Sequence, residues 1–476
     1  MYWGETEFKY SELLKQASWV RDALIRKFHV QPGDRVGIWL KNRPEFVPAV
    51  FGVLGAGAVV VPINNFLKPA ELSFILADAG IDVLITEAEL SGLAPLLQAD
   101  RPSLKIFPTE SFFVDGCDVK REFEADLRAE SDLAVIIYTS GTTGKPKGAM
   151  LSNGNLLHNV ESCRIVLETV DQDRMAVVLP LFHSYMLTVG LFLPLLVGGT
   201  MVLVKSVNQQ RQIIQELCLR QATMLPAIPP LYRALASSPV PVKLPFRICI
   251  SGSAPLPLQV LTDFESKYGI PLIEGYGLSE ASPVVAKNPI HGRRKAGSIG
   301  LPIPNVEMSI QDEVGAILDN GVIGEICVRG GNVMQGYWNH PEETAKAFRG
   351  EWLLTGDVGY RDEEGYYFIT DRKKDMLLVN GNNVYPREIE DVIYQFPGVK
   401  EVAVIGIPDS RRGEQPVAYV AAMEDQVLKE DAILQYVRER MADYKNPKKI
   451  VFLPALPRNA MGKILKTELR KVPRTL

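Results

Sequence analysis

Residues 133–148 read LAVIIYTSGTTGKPKG, an apolar run followed at once by glycine, hydroxyl and lysine residues. A short apolar run of this kind is typical of a buried strand. Glycines let backbone N–H groups approach an anion, hydroxyl groups donate further hydrogen bonds, and lysines balance negative charge. The position of the polar segment directly after a buried strand favours a phosphate-binding loop over a flexible surface turn.

The spacing of this loop differs from that of the P-loop found in common nucleotide hydrolases. A P-loop has four residues between its first glycine and its Gly-Lys-Ser/Thr. Here only two residues separate Gly141 from Gly144, and Lys145 is followed by Pro146. The pattern therefore predicts phosphate chemistry of another kind.

Further apolar runs on both sides of this stretch indicate the fold class. Helix-like segments separate several of the runs, and continuous apolar strands between helices predict an α/β fold with mostly parallel sheets. Ligands of such sheets bind beyond the carboxyl ends of the strands, so the glycine-rich stretches there are candidate site residues. The runs are RVGIWL (35–40), AVVVPI (58–63), DVLIT (82–86), MAVVLPL (175–181), TMVLV (200–204), FRICISG (246–252) and PLIEGYG (271–277).

A change of pattern divides the chain. Turn-rich, short alternating segments over 297–371 predict a small β-barrel-like subdomain beside the large sheets. A compact α+β pattern then follows, with a helix at PREIEDVIYQF, two strands and a second helix. The sequence predicts a large N-terminal domain over 1–371 and a separate small α+β domain over 372–476.

Composition excludes several classes of protein. The 476 residues are 46% hydrophobic with a formal charge of −4, which does not favour a nucleic-acid surface. The five cysteines lack C-x-x-C spacing, so we expect a reduced, cytoplasmic protein. The most apolar stretch, 47–63, is short for a membrane span and contains Gly and Pro. A peripheral membrane contact stays open, as does the choice between monomer and homodimer.

Seven further segments, taken with 138–148, resemble the signature of the adenylate-forming superfamily of acyl-CoA synthetases, peptide-synthetase adenylation domains and luciferases. Their wording is most similar to bacterial medium- and long-chain fatty acid–CoA ligases. In chain order they are LPLFHSYMLTVG (179–190), EGYGLSEASP (274–283), GSIGLPIP (297–304), GEICVRGGNVMQGYWN (324–339), WLLTGDVGY (352–360), FITDRKKDMLLVNGNNVYPREIE (368–390) and LPRNAMGKILKTELR (456–470).

The resemblance implies a two-step reaction. ATP and a carboxylic acid first give an acyl-adenylate and pyrophosphate, and a thiol then displaces AMP. ATP, Mg²⁺ and CoA are the implied cofactors and co-substrates. For the metal the resemblance names Thr139 and Glu280, although Glu280 taken alone reads as a surface or capping carboxylate. The implied phosphate-binding residues are Thr139, Ser140, Gly141, Thr142, Thr143, Gly144 and Lys147.

The resemblance also implies a nucleotide-binding surface. Asp357 and Arg372 are expected on the ribose, and Tyr276 is expected to present a stacking face to the adenine. The alternatives are a solvated arginine and an ordinary core tyrosine. The other implied nucleotide-binding residues are Ser253, Ala254, Pro255, Glu274, Gly275, Gly277, Leu278, Ser279, Ile369 and Lys463.

The remaining implied roles concern catalysis and the acyl and thiol substrates. Lys463 matches the catalytic lysine of the family, and Lys374 matches its hinge, where many members carry Asp. His183 is expected beside the acyl carboxylate, although a core histidine is the alternative. Ile228 and Gly277 are expected at the acyl pocket. The residues expected along the CoA tunnel are Gly381 and Asn382.

Several substrates and acceptors stay open. The stretch SYMLTVG lacks the Asp that holds an amino acid substrate, and no carrier domain follows up to residue 476, so CoA is the expected acceptor. We find no insertion of the fatty acyl-AMP ligase kind between 330 and 385. Aryl and other carboxylic acids, loading of a carrier protein, and a non-catalytic nucleotide-binding protein are the alternatives.

Overall fold

The computed structural model describes residues 1–113, 128–140, 146–205, 210–238, 243–409, 411–424, 426–459 and 463–472, without the side chains of residues 140 and 210. Four residues of the predicted phosphate loop (Gly141, Thr142, Thr143 and Gly144) lie outside these ranges. None of the helices in these ranges has the length and hydropathy needed to cross a membrane. The cysteines they include, Cys163, Cys218, Cys249 and Cys327, are free thiols.

The strands belong to four β-sheets in the described part of the chain. In chain order they are β1 Tyr2–Trp3, β2 Thr6–Glu7, β3 Arg35–Trp39, β4 Val59–Pro62, β5 Val83–Thr86, β6 Lys105–Pro108, β7 Leu133–Ser140, β8 Pro146–Ser152, β9 Arg174–Val177, β10 Thr200–Leu203, β11 Met224–Ala227, β12 Ile248–Ser251, β13 Leu272–Gly277, β14 Val284–Lys287, β15 Leu301–Pro302, β16 Val306–Gln311, β17 Gly324–Gly330, β18 Gly336–Tyr337, β19 Phe348–Arg349, β20 Trp352–Arg361, β21 Tyr367–Arg372, β22 Leu377–Val379, β23 Asn382–Val384, β24 Val399–Asp409, β25 Gly413–Ala422 and β26 Lys449–Phe452.

The helices flank these sheets. The α-helices are α1 Tyr10–Arg26, α2 Phe46–Gly55, α3 Pro69–Asp78, α4 Ala94–Asp100, α5 Asn153–Leu167, α6 Leu193–Leu196, α7 Gln210–Leu219, α8 Pro229–Ser237, α9 Leu258–Tyr268, α10 Pro341–Ala347, α11 Pro386–Tyr394, α12 Glu430–Arg438 and α13 Lys466–Leu469. Short 3₁₀ turns occur at Ser91–Leu93, Thr109–Phe113, Ser279–Ala281 and Asp443–Lys445, and a π-helical turn at Met186–Phe192.

Two large sheets form the first part of the molecule. One has nine strands in the order β15-β14-β13-β12-β11-β9-β10-β1-β2, and the other has seven in the order β18-β8-β7-β4-β3-β5-β6. Neighbours are parallel from β13 through to β1 in the first sheet and from β7 through to β6 in the second. This confirms the predicted α/β class with mostly parallel sheets.

Burial explains why the apolar runs became strands of this type. All four residues of β4, β5 and β11 are buried, as expected for sheets covered by helices on both faces. Close helix packing adds a second requirement, because a Cβ on Gly52 of α2 would lie 2.5 Å from Cγ1 of Val20 on α1. Only glycine lets these two helices approach so closely.

A third sheet of five antiparallel strands corresponds to the β-rich segment expected over 297–371. Its order is β16-β17-β20-β19, and β21 pairs with β20 along the same edge as β19. In the β20–β21 pair, Asp357 stands opposite Arg372. Register thus brings together two residues that are 15 positions apart in the sequence.

The C-terminal unit has its own sheet and core. The sheet order is β23-β22-β25-β24, with β26 parallel to β25, and α11 and α12 pack against it through residues such as Ile389 and Ile433. A turn between β21 and β22 connects this unit to the third sheet. In this turn the backbone N–H groups of Asp375 and Met376 donate to the Arg372 carbonyl at 2.9 and 3.1 Å. The hinge at Lys374 and the boundary at 371/372 stay predictions.

Candidate active site

Two antiparallel strands flank the predicted phosphate loop in the sequence. The antiparallel strands β7 and β8 pair Thr139 with Lys147 and Ser140 with Pro146. The strands thus continue further than the sequence indicated, and these four residues are extended rather than looped. Residues 141–145 join the two strands at the carboxyl end of β7, where the fold class predicts a ligand.

Lys147 has an acidic partner that sequence reasoning missed. Its ammonium pairs with the Glu343 carboxylate on α10, and it lies 5.4 Å from the ring centroid of Tyr337. Hydrogen bonding with Lys147, supported by Lys346, lowers the pKa of Glu343 to about 2. A Glu-rich first turn after GYWN was visible in the sequence, but nothing local showed that it would face residue 147.

Glu280 stands on the 3₁₀ turn after β13. Its Oε1 accepts a hydrogen bond of 2.9 Å from the hydroxyl of Tyr337, and its carbonyl accepts from the Met334 N–H at 2.9 Å. The described residues hold no group of three or more His, Cys, Asp and Glu side chains suited to a metal. A single carboxylate still fits Mg²⁺, which commonly takes one or two carboxylates and completes its shell with phosphate oxygens and water.

A buried carboxylate lies at the centre of the expected ribose site. Asp357 is 4% exposed, and its Oδ1 is 3.0 Å from Nε of Arg372. Its Oδ2 accepts a hydrogen bond of 2.6 Å from the hydroxyl of Tyr276. Burial, together with the neighbouring Asp357, raises the pKa of Tyr276 well above its usual value, so the hydroxyl stays a donor. Its hydroxyl therefore holds Tyr276 in place, and the residue is half-buried.

Further expected nucleotide-binding residues lie on the turn after β12 and on the strand β13. Ser253 has a positive φ of 65°, with Ala254 half-buried and Pro255 exposed beside it. The Leu256 N–H donates to Oε1 of Glu274 at 3.0 Å. Burial raises the pKa of Glu274 to about 7, and the Arg387 guanidinium of the C-terminal unit opposes this shift.

Glycine is required where β13 meets the Glu280 turn. A Cβ on Gly277 would lie 2.2 Å from the carbonyl oxygen of Pro283, whereas one on Gly275 would be 3.6 Å from its nearest neighbour. The N–H of Leu278 donates to the same Pro283 carbonyl at 3.0 Å. The turn is therefore held against β14 by close backbone approach.

The segment that carries His183 contacts this turn. Oγ of Ser184 is 3.0 Å from Oγ of Ser279, which ties the His183 segment to the turn that carries Glu280. Burial lowers the pKa of His183 to about 4, so its imidazole is neutral at pH 7. Its Nδ1 accepts from the Tyr185 N–H at 3.2 Å. Ile228 is half-buried and caps the start of α8.

Lys463 of the C-terminal unit faces the Asp357–Arg372 pair. A tight turn holds it, since the Lys463 N–H donates to Oδ1 of Asn459 and the Asn459 N–H donates to the Lys463 carbonyl, both at 2.9 Å. Protein atoms packed around the ammonium, and then the Arg372 charge, lower the pKa of Lys463 to about 8, although its side chain is still open to the cleft. An adjoining cavity of about 280 Å³ is lined by Thr355, Gly356, Arg372, Lys373 and Lys374.

The two residues expected along the CoA tunnel lie on a hairpin of the C-terminal unit. Gly381 and Asn382 are exposed at the tip of the β22–β23 hairpin, where Asn380 and Gly381 have φ values of 52° and 76°. Such an Asn-Gly pair is the usual two-residue turn of a hairpin. Ile369, also expected at the nucleotide, is half-buried, and its carbonyl accepts from Nη1 of Arg387 at 3.0 Å.

Comparison with known proteins shows the family to which this chain belongs. Residues 1–338 match the family model of the AMP-binding enzyme, and residues 388–463 match that of the AMP-binding enzyme C-terminal domain. The chain is an AMP-binding enzyme. The resemblance to the acyl-CoA synthetase branch of adenylate-forming enzymes is thereby confirmed.

Relatives of this AMP-binding enzyme differ in substrate. A long-chain-fatty-acid–CoA ligase of Bacillus subtilis is 36% identical over an alignment of 480 residues, gaps included. The alignment covers 92% of this chain and 86% of the relative. A feruloyl-CoA synthase of an Amycolatopsis species is 36% identical over 472 residues, covering 98% and 94%. The crystal structure of ATP-bound MatB from Rhodopseudomonas palustris matches with a TM-score of 0.91 and 33% identity, covering 98% of this chain and 93% of that one.

Proposed function

We propose that this AMP-binding enzyme is an ATP-dependent acid–CoA ligase that activates a medium- or long-chain fatty acid. The observation that carries the proposal is the approach of Lys463 to the Asp357–Arg372 pair, because it brings a cation of the C-terminal unit to an expected ribose site. A nucleotide-binding protein without catalysis would not need a lysine presented from a second unit to this position.

In the first half-reaction the acid carboxylate attacks the α-phosphorus of ATP. A new P–O bond forms, the bond to the β-phosphate oxygen breaks, and pyrophosphate leaves. Both reactants are anions, so a cation at the meeting point stabilises the developing charge, and Lys463 takes this role. Glu280 and Thr139 would hold the Mg²⁺ ion, which screens phosphate charge when bound. Asp357 would accept hydrogen bonds from the ribose hydroxyls.

In the second half-reaction the CoA thiol gives up its proton to solvent and its sulfur attacks the acyl carbon. A C–S bond forms, the bond from the acyl carbon to the phosphate oxygen breaks, and AMP leaves with the electron pair. AMP is already a good leaving group, so no side chain has to protonate it. A neutral His183 beside the carboxyl carbon suits a role in shape and orientation rather than proton transfer. The hairpin with Gly381 would have to reach the thiol path by rotation of the C-terminal unit.

The fatty-acid part of the proposal rests on residues around His183 and α8. The stretches MLTVGLFLPLL and PAIPPLYRAL are mostly apolar, which suits an alkyl chain. Their single charged residue, Arg233, donates to the Lys400 carbonyl of the C-terminal unit. The Bacillus subtilis relative supports the assignment of a fatty acid substrate. An aryl acid is the second candidate, since the feruloyl-CoA synthase is equally identical over more of the chain.

An acid panel tests the substrate class directly. The enzyme is supplied with ATP, Mg²⁺, CoA and one acid at a time, with AMP and thioester followed together. We expect turnover with saturated acids of about 8–18 carbons and a kcat/KM for benzoate or ferulate at least about 10²-fold lower, because burying each CH₂ contributes about 0.8 kcal/mol. Preferred turnover of ferulate would replace the fatty-acid assignment. AMP without thioester would contradict CoA as acceptor.

Asp357→Asn tests the ribose assignment. We expect the KM for ATP to rise about 10–100-fold, because hydrogen bonds to a charged carboxylate each contribute about 1.5–3 kcal/mol. Asp362→Asn is the matched control. Asp362 directly follows β20, and its carboxylate pairs with the Lys295 ammonium. Steady-state kinetics at varied ATP measures both variants. An unchanged KM in Asp357→Asn would remove Asp357 from the nucleotide site.

A further inference from the structure

Helix α8 connects the expected acyl pocket with the C-terminal unit. It begins directly after Ile228, and Tyr232 in its first turns is fully buried. The Tyr232 hydroxyl donates to the Leu225 carbonyl at 2.5 Å and accepts from the Ile250 N–H at 3.1 Å. These bonds tie the helix to β11 and β12 of the nine-stranded sheet, so that its surface residues have a fixed position.

The next residue of α8, Arg233, contacts the C-terminal unit. Its Nη1 donates to the carbonyl of Lys400 at the start of β24. Its guanidinium carbon lies 4.7 Å from the ring centroid of Tyr394, the last residue of α11. Both contacts cross from the large sheets to the C-terminal unit, and both depend on how that unit is oriented.

The contact point adjoins the segment that presents Lys463. Glu401 follows Lys400, and its Oε1 lies 3.0 Å from Nη2 of Arg458, while its Oε2 accepts from the Leu456 N–H at 3.2 Å. Arg458 in turn is bridged to Ile464, next to Lys463. Polar contacts between sequence neighbours of these residues thus connect Arg233 with the segment that carries Lys463.

We propose that Arg233 is a positioning residue that holds the C-terminal unit in the arrangement that brings Lys463 to the nucleotide. The inference rests on the proposed two-step reaction. An arginine is suited to this role because its planar group can stack on a ring and donate at its edge at the same time. The contact has to break before the second half-reaction, so its loss should affect the two steps unequally.

The test measures the half-reactions separately. Pyrophosphate release from ATP and a substrate acid, without CoA, reports the first step. Thioester formation from supplied acyl-adenylate and CoA reports the second. Arg233→Ala should slow the first about 10-fold, the order expected from losing a partly buried hydrogen bond and a cation–π contact. The second step should stay within about twofold of wild type on the same basis.

Matched variants separate this role from a general effect on folding. Arg440→Ala is the control, because Arg440 stacks on Tyr436 at 3.6 Å within the C-terminal unit and does not reach α8. Tyr394→Leu should reproduce the split of Arg233→Ala, whereas Tyr394→Phe keeps the ring and should behave as wild type. Equal losses in both half-reactions, or none in the first, would overturn the inference.

A readout without substrate keeps this inference distinct from the proposed function. Amide hydrogen exchange in α11 and β24 should become faster in Arg233→Ala and not in Arg440→Ala. Unchanged exchange would refute the positioning role whatever the enzyme turns over. If the wild type formed no acyl-adenylate with any acid, the proposed function would fall, while faster exchange would still support the contact.

Discussion

Lys463→Ala should lower the rate of acyl-adenylate formation about 10²–10³-fold, the cost of removing one preorganised charge-stabilising group. Thioester formation from supplied acyl-adenylate should be nearly unchanged. The difference follows from where charge develops, because two anions meet only in the first step. Pyrophosphate release from ATP and acid, compared with thioester formation from acyl-adenylate and CoA, measures both.

The surroundings of Lys463 add a pH signature to this prediction. Crowding by protein atoms and by Arg372 lowers the pKa of Lys463 to about 8, from an ordinary value near 10.5. The ammonium is the form that stabilises the transition state, so kcat/KM for adenylation should fall as pH rises through about 8. Because kcat/KM reports the free enzyme, bound substrate does not mask this value. In Lys463→Ala the alkaline fall should disappear.

A nearby lysine supplies the control. Lys471 is exposed in the same C-terminal segment and pairs with Glu468 at 2.7 Å. Lys471→Ala should keep both half-reactions and the alkaline fall. If Lys463→Ala retained adenylation, or if both half-reactions declined together, Lys463 would not be the group that meets the two anions.

The sequence predicted those parts of the site that depend on one segment at a time. Apolar runs placed the strands, because residues buried on both faces must be apolar throughout. The glycine at 277 was expected at a ligand, and the structure shows a local reason as well, since a side chain there would meet the Pro283 carbonyl. Asp357 and Arg372 were identified through their motifs, and strand register then explains their pairing.

Contacts between distant segments could not be predicted in this way. The partner of Lys147 is Glu343, 196 positions away, and the partner of Tyr276 is Asp357, 81 positions away. Arg233 and Lys400 are 167 positions apart. No periodicity or spacing encodes such pairs, because they arise only when separately folded layers pack together. The sequence also placed Thr139 and Lys147 in a loop, since glycines nearby obscured the extended strands on each side.

The charge distribution of the site explains why the C-terminal unit would have to move. Arg372, Lys374 and Lys463 lie around one cleft, and the charges of Arg372 and Lys374 both lower the pKa of Lys463. Triphosphate can compensate this repulsion, but after pyrophosphate leaves less negative charge remains. In the proposed mechanism, loss of pyrophosphate would weaken the hold on Lys463 at the point where the second step needs the cleft open.

Lys374→Pro should leave acyl-adenylate formation near wild type and slow thioester formation about 10²-fold. Proline fixes φ near −65°, and rotation of the C-terminal unit requires the hinge residue to change its backbone angles. A barrier raised by about 3 kcal/mol, the order of cost for proline in an unsuitable backbone, corresponds to roughly that factor. Single-turnover measurements of each half-reaction, with and without supplied acyl-adenylate, provide the comparison.

Lys374→Ala separates the backbone from the side chain, because it removes the ammonium and leaves φ free. We expect both of its half-reactions to stay within about threefold of wild type. Lys374→Pro can also affect the preceding residue. The Lys373 N–H donates to the Gly356 carbonyl at 2.9 Å, and a following proline disfavours helical backbone angles at Lys373. If Lys374→Pro lost both half-reactions equally, the turn that supports Arg372 would be disturbed, and rotation about Lys374 would lose its support.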